Sequence, residues 1–306
     1  MAFLLSAWLP TFRTYFSLFS TIAWQVMEGM LLDAVSKSMV AEGAKLVPKY
    51  GVRNSALMSL SVNALKGNPT YDKARTLSNR ELSRLFPRGF SIAVVEHIVA
   101  SSNQTAHLRL EECFSKYAIL STVAKNSDTY QLGCYKPPGV REVVSEAMDS
   151  KFSALLPYCE HWAEAVALEC LPSNTPFAAK LALEFIDTTC YYAERMRSLG
   201  SVVEAGNILL QSRISDPFAA EPHSIGVSGG VKKGEKNDAF WQKFATTVPL
   251  SSGPHASHGM LGYEWYILRM KVGAILSLGM LSFMGEKSRS RLETKSMVRS
   301  IICGIL

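Results

Sequence analysis

The chain has 306 residues, 48% of them hydrophobic and 19% charged, with 32 Lys and Arg against 26 Asp and Glu. That composition excludes a disordered chain and leaves enough apolar mass for a sizeable core, in one large domain or two small ones. The basic balance fits a nucleic acid, an acidic membrane surface or a compartment that imports basic proteins, without choosing among them.

The first 26 residues hold no acid and a single basic residue, Arg13, among many Ser, Thr and aromatic residues, a bias that resembles an organellar presequence. Helical periodicity follows. Met30, Leu31, Ala34, Val35 and Met39 begin an apolar stripe that ends at Tyr50-Gly51, where glycine offers a C-cap. Asn54 is placed to cap a short helix from Ser55 to Leu65. Lys66 to Thr76, with Gly67, Pro69 and several charges, reads as a loop. A short helix over Asn79 to Leu85 is broken by Pro87-Arg88-Gly89. Two more helices are expected, Ser91 to Ser101 and Thr105 to Ala124, then a loop over 125–140 containing Pro137-Pro138-Gly139.

A long helix starts at Arg141, with Val144, Met148, Phe152 and Leu155 on one face. Pro157 should kink it or begin a new segment, which Cys159, Trp162, Val166 and Cys170 continue. Leu171-Pro172-Ser173-Asn174-Thr175-Pro176 is a turn. The helix after it carries Leu181, Phe185, Tyr192 and Met196 on one side, with Leu183, Ile186 and Cys190 beside them. Over 199–260 Gly, Ser, Pro and His accumulate, and the segment reads as a flexible insertion. A last strong helix begins near Tyr263 and holds Trp265, Leu268, Val272, Ile275, Leu276 and Phe283; the charges from Glu286 to Arg299 suggest a solvated final helix. No stretch alternates with period two for long enough to make a sheet, so the fold class is all-α. The longest apolar run, Val272 to Met284, has 13 residues, too few for a hydrocarbon core of ~30 Å.

Sites for chemistry are sparse. Six cysteines are scattered without a CxxC pair, which points to a reducing interior rather than a disulfide framework. The histidines His97, His107, His161, His223, His255 and His258 form neither HExxH nor a zinc spacing. Glu160 and His161 are adjacent, so on a helix they point about 100° apart. GxSxG and GxGxxG are absent, and Gly229 to Lys236 misses the phosphate-loop pattern because Glu235 stands where Lys belongs. No catalytic residue, metal or cofactor is expected. What remains is a set of helices with broad apolar faces. They form either plain core or a cavity for an apolar ligand, with Leu155, Trp162, Val166, Leu181, Phe185, Tyr192, Ile275 and Leu276 as candidate lining.

Two groups of residues carry a resemblance. Ala44 to Val52 (AKLVPKYGV), then Leu77-Ser78-Asn79-Arg80-Glu81-Leu82 and Leu85-Phe86-Pro87-Arg88-Gly89, resemble the N-terminal helix-turn-helix of TetR-type regulators. Leu155 to Trp162 (LLPYCEHW), Leu171 to Pro176, Ile186-Asp187 and Tyr192-Ala193, with Trp265, Tyr266 and Arg269 downstream, resemble the Coq-nine family, lipid-binding accessory proteins of ubiquinone biosynthesis.

The resemblance implies a TetR-like helical bundle. A degenerate helix-turn-helix domain would occupy 28–103 and a ligand-binding helical domain 104–306, behind a mitochondrial presequence at 1–26. It implies a non-catalytic homodimer on the matrix side of the mitochondrial inner membrane, with peripheral membrane association. That dimer would bind an isoprenoid lipid or ubiquinone intermediate and present it to the diiron demethoxyubiquinone hydroxylase. Trp265, Tyr266 and Arg269 stand at the family's partner-binding patch and Asp187 at its acidic position. Two departures concern the 199–260 segment, placed to reshape that patch, and the extra loop at Lys66 to Thr76. A third is the end at Leu306, about where the family continues into an amphipathic membrane helix. The alternative is a TetR-type DNA-binding regulator, for which Arg80, Arg84 and Arg88 are available phosphate contacts; no nucleic acid is expected on the accessory-protein reading.

Overall fold

The computed structural model of the protein describes residues 32–115, 118–119, 137–215, 263–288 and 290–306. The presequence expected at 1–26, most of the 125–140 loop, Gly229 to Lys236 and the 216–260 part of the expected insertion lie outside them. Every regular element among the described residues is a helix, as expected of an all-α chain. The chain divides into two compact units, Met1–Ala100 with Pro157–Ala179 and Ser101–Leu156 with Lys180–Leu306. The first boundary falls after Ala100, and Pro157–Ala179 goes with the first unit.

In the first unit, α1 spans residues 32–50 and buries Val35, Met39, Val40, Ala44 and Val47, one stripe of a 3.6-residue period. It stops at Gly51, whose φ of 78° only glycine adopts freely and whose N–H donates to the Val47 carbonyl at 2.8 Å. α2 (Leu57–Ala64), α3 (Tyr71–Thr76) and α4 (Asn79–Leu85) follow. α3 occupies the stretch expected as a loop: Gly67 and Pro69 confine the break to the residues before it, and Ala74 is buried. α4 keeps its expected bounds because Ser78 and Glu81 form a capping box. Close packing is sharpest at Gly43, where an added Cβ would stand 2.8 Å from Val94 and 3.1 Å from the Ser61 hydroxyl. Arg88, from the turn after α4, forks onto Glu96 at 2.5 and 2.8 Å and stacks 3.6 Å over the Phe177 ring. Pro157 begins a 3-10 segment, Leu156–His161, and α7 (Trp162–Glu169) follows with Trp162 fully buried. Asn174 closes the expected turn by donating to the Leu168 carbonyl at 2.9 Å.

α5 (Phe90–Phe114) is one helix where two were expected, and the boundary between units falls within it. The second unit holds the rest of α5, α6 (Val140–Leu155), most of α8 (Thr175–Ser215), α9 (Tyr263–Gly285) and α10 (Leu292–Ile305). α8 runs past 199, so the expected insertion does not begin there. The core consists of Val144, Met148 and Phe152 of α6, Phe185, Cys190 and Met196 of α8, and Val272, Ile275 and Phe283 of α9. α10 packs on both α6 and α9, burying Val298 and Ile302, and is thus more than the solvated helix its charges suggested. Gly279 makes that packing fit: a Cβ there would lie 2.7 Å from Phe152 and 3.0 Å from Val298.

Candidate functional site

The eight candidate lining residues divide between the two units. Trp162 and Val166 belong to the first unit; Leu155, Leu181, Phe185, Tyr192, Ile275 and Leu276 belong to the second. Within the second unit all but the half-buried Leu181 are buried. Tyr192 leans edge-on toward His107, with ring centres 6.1 Å apart, and burial pushes its hydroxyl pKa upward. Lys151 is buried in the same core, donating to Ser102 at 3.3 Å and to Asn103, with its ammonium 4.7 Å from the Phe185 ring centre. A depression of about 270 Å³ lies in the first unit between α1, the Leu85–Gly89 turn and the start of α5. Another, of about 630 Å³, lies along α10. Neither is lined by any of the eight residues.

The three residues expected at a partner patch, Trp265, Tyr266 and Arg269, lie together at the start of α9. Trp265 and Tyr266 open α9 with their rings edge to face, centres 4.7 Å apart. Tyr266 is 56% exposed while Trp265 is half-buried. Arg269, one turn on, lies flat on the Trp265 ring at 3.5 Å and donates to the Trp265 carbonyl at 3.3 Å. Its Nε donates to Asp187 at 2.7 Å and a terminal nitrogen to Glu194 at 3.1 Å. Asp187 and Glu194 are seven residues apart on α8, two turns along one face, so a single guanidinium bridges both. Arg269 is only 19% exposed. Its guanidinium sits against the Trp265 ring. Glu194 is absent from the sequence reading because only the folded chain brings it to Arg269. Arg197 and Glu264 pair nearby and join the same two helices.

Around this cluster lies Cys190, fully buried, its thiol pushed up to about 12 by burial, with Asp187 and Glu194 adding to the rise and Arg269 opposing it. Among the described residues no group of three His, Cys, Asp or Glu side chains is placed to hold a metal ion. The sequence reading also missed a second apolar face of α9. Met270 is 75% and Leu281 61% exposed, and Leu278 is exposed as well. The spacing from Tyr266 to Met270, Leu278 and Leu281 repeats the helical period and was available as a signal. Contrary to the expectation from its 13-residue apolar run, α9 is, alone of the described helices, long and apolar enough to cross a bilayer by length and composition, with 33% of that window buried; ion pairs to α8 and packing against α10 tie it to the second unit.

No protein-family profile matches the chain. A stretch of 69 residues, 22% of the chain, is 29% identical to "Ubiquinone biosynthesis protein COQ9-A, mitochondrial" of Xenopus laevis. The chain spans 22% of that protein's length.

Proposed function

We propose that this chain is a non-catalytic, lipid-binding accessory protein of ubiquinone biosynthesis that presents quinone intermediates to the demethoxyubiquinone hydroxylase. Similarity to a mitochondrial ubiquinone biosynthesis protein supports the pathway and a mitochondrial location; within it, the reading puts the chain on the matrix side of the inner membrane. The observation that carries the partner surface is the Trp265–Tyr266 pair, held on its Arg269 support at the start of α9. Trp, Tyr and Arg dominate interface hot spots. An aromatic pair locked before contact loses little side-chain entropy on binding. The exposed face from Tyr266 to Leu281 extends that surface with apolar area.

The ligand would be an isoprenoid chain, buried among the helices of the second unit at about 25 cal/mol per Å² of apolar area. Leu181, Phe185, Tyr192, Ile275 and Leu276 are its candidate neighbours, with Leu155 at the end of α6. The working form is a homodimer, as TetR-like bundles are. Two measurements test the reading. Organic extraction of the purified protein followed by mass spectrometry should recover an isoprenoid quinone or its precursor; recovery of no lipid counts against the carrier role. Trp265→Lys should abolish capture of the hydroxylase while leaving the helical circular dichroism intact, and normal capture would refute the partner assignment.

A further inference from the structure

Arg195, on α8, is half-buried, and its Nε lies out of reach of solvent with no acceptor for its N–H. Among the described residues no carboxylate or carbonyl takes up its guanidinium. Other arginines of the second unit are engaged: Arg109 by Glu146 and Glu112, Arg197 by Glu264, Arg269 by Asp187 and Glu194, Arg299 by Asp149. Burying a donor without an acceptor lowers stability, and a local rule broken without structural return is the mark of a functional position. The Nε fixes the guanidinium in place. The two terminal nitrogens, which are not sealed off, remain for a ligand.

Three rings and one carboxylate share this rim. Tyr191 and Tyr192 precede Arg195 by four and three residues on α8, so both flank its face. Their rings meet edge to face, centres 5.2 Å apart. From α5, His107 meets the Tyr192 ring at 6.1 Å, and Glu111 follows His107 one turn on. Tyr192 is 5% exposed, and its hydroxyl bonds to no described residue. Burial raises the hydroxyl pKa, Glu111 and Tyr191 add to the rise and Arg195 opposes it, so the phenol keeps its proton as a donor with both charges close by. Glu111 is exposed and forms no ion pair with Arg195.

These surroundings narrow the ligand. A guanidinium fork matches a carboxylate through two parallel hydrogen bonds. Glu111 repels a second negative charge, which disfavours a phosphate monoester. The faces and edges of Tyr191 and His107 suit a flat ring. We propose that this rim of α5 and α8 binds a small aromatic monocarboxylate, its carboxylate on the terminal nitrogens of Arg195 and the Tyr192 hydroxyl, its ring against Tyr191 and His107. The site shares Tyr192 alone with the candidate lipid neighbours, goes beyond the carrier reading and requires no lipid.

Titration of benzoate into the full chain, followed by ligand-observed NMR, tests it. Benzoate should bind about tenfold more tightly than benzyl alcohol, which keeps the ring and loses the charge. It should also bind more tightly than acetate, which keeps the charge and loses the ring. Arg195→Met keeps the apolar stem and removes the unbonded donor. It should lose benzoate binding at least about tenfold while the melting temperature rises by about 2–4 °C, whereas an arginine with a merely structural role would destabilise on removal. Tyr191→Ala should weaken benzoate about threefold. Lys180→Gln removes a charge from the same helix and should bind as the parent does. Benzoate bound no better than benzyl alcohol or acetate, equal binding by the parent and Arg195→Met, or equal loss in Arg195→Met and Lys180→Gln would each overturn the inference. Organic extraction of the Arg195→Met protein separates the two readings: any isoprenoid carried by the parent should be recovered from it unchanged.

Discussion

At the scale of single residues, Arg269 has the most demanding position. It meets two carboxylates, a backbone carbonyl and an indole face, and a lysine has neither the fork nor the plane to do so. Arg269→Lys and Arg269→Ala should each lower stability by about 1.5–3 kcal/mol in urea unfolding, the range for hydrogen bonds to charged groups. Both should free the Trp265 ring, seen as a change in its fluorescence. Cys190 supplies a second test. Its raised pKa means the neutral thiol is the folded form, so its contribution is fully present below the ordinary value of 9.0 and is lost as pH rises from there through about 12. At neutral pH a thiol reagent should label the exposed Cys170 and Cys303 in the native protein and reach Cys190 only on unfolding. Labelling of Cys190 at the rate of Cys303 would contradict its burial. The resemblance grouped Trp265, Tyr266, Arg269 and Asp187 by family pattern alone. Glu194 was not legible in the sequence, because its role depends on a partner 75 positions away.

At the scale of elements, Gly279 shows how packing overrides propensity. Alanine ordinarily gains about 1 kcal/mol over glycine inside a helix. Here its Cβ would meet Phe152, itself fully buried and unable to swing aside, and Val298. Gly279→Ala should therefore destabilise, by about 1–3 kcal/mol as overpacking does, and Phe152→Leu in the same chain should recover part of the loss. The same balance explains which helices were readable. α1, α4 and α9 carry their own stop or start signals: Gly51 in the left-handed region, the Ser78–Glu81 box, and the apolar onset after Tyr263. α5 does not. Ser101-Ser102-Asn103-Gln104 reads as a break, yet Ser102 is buried beside Lys151 and Asn103 donates to the Leu181 carbonyl at 2.9 Å. Tertiary partners hold those polar residues in the helix, and no local pattern announces them. α8 likewise runs beyond a composition shift that locally resembles a loop.

At the scale of the whole molecule, the chain passes between its two units three times, near Ala100, Leu156 and Ala179. Pro157–Ala179 brings the fully buried Trp162 to the first unit. A fragment of residues 32–100 should therefore fail to fold alone, giving weak helical signal and rapid proteolysis. A fragment of that length that unfolded cooperatively would show that the first unit does not need Pro157–Ala179. All-α architecture was readable from period alone; the assignment of Trp162 and Val166 to one unit and Phe185 and Ile275 to the other was not, because a stripe of apolar residues says that a face is buried without saying against what.

The turn between α9 and α10 has a consequence of its own. Arg291, at the N-cap of α10, sits in the left-handed region and offers no capping side chain. The free amides of the helix go instead to Glu286, left over from the end of α9, which accepts from the Thr294 amide at 2.9 Å, the Thr294 hydroxyl at 2.7 Å and the Glu293 amide at 3.3 Å. Although partial burial works the other way, these bonds with that of Ser288 leave the Glu286 carboxyl below its ordinary range. Its contribution is present above about pH 4.5 and is lost as pH falls through the lower folded value. One carboxylate thus measures the spacing between the last two helices. A residue inserted between Lys287 and Arg291 would leave every apolar contact of α10 chemically unchanged and still set the helix adrift, because its amides would no longer reach the gauge that fixes where it starts.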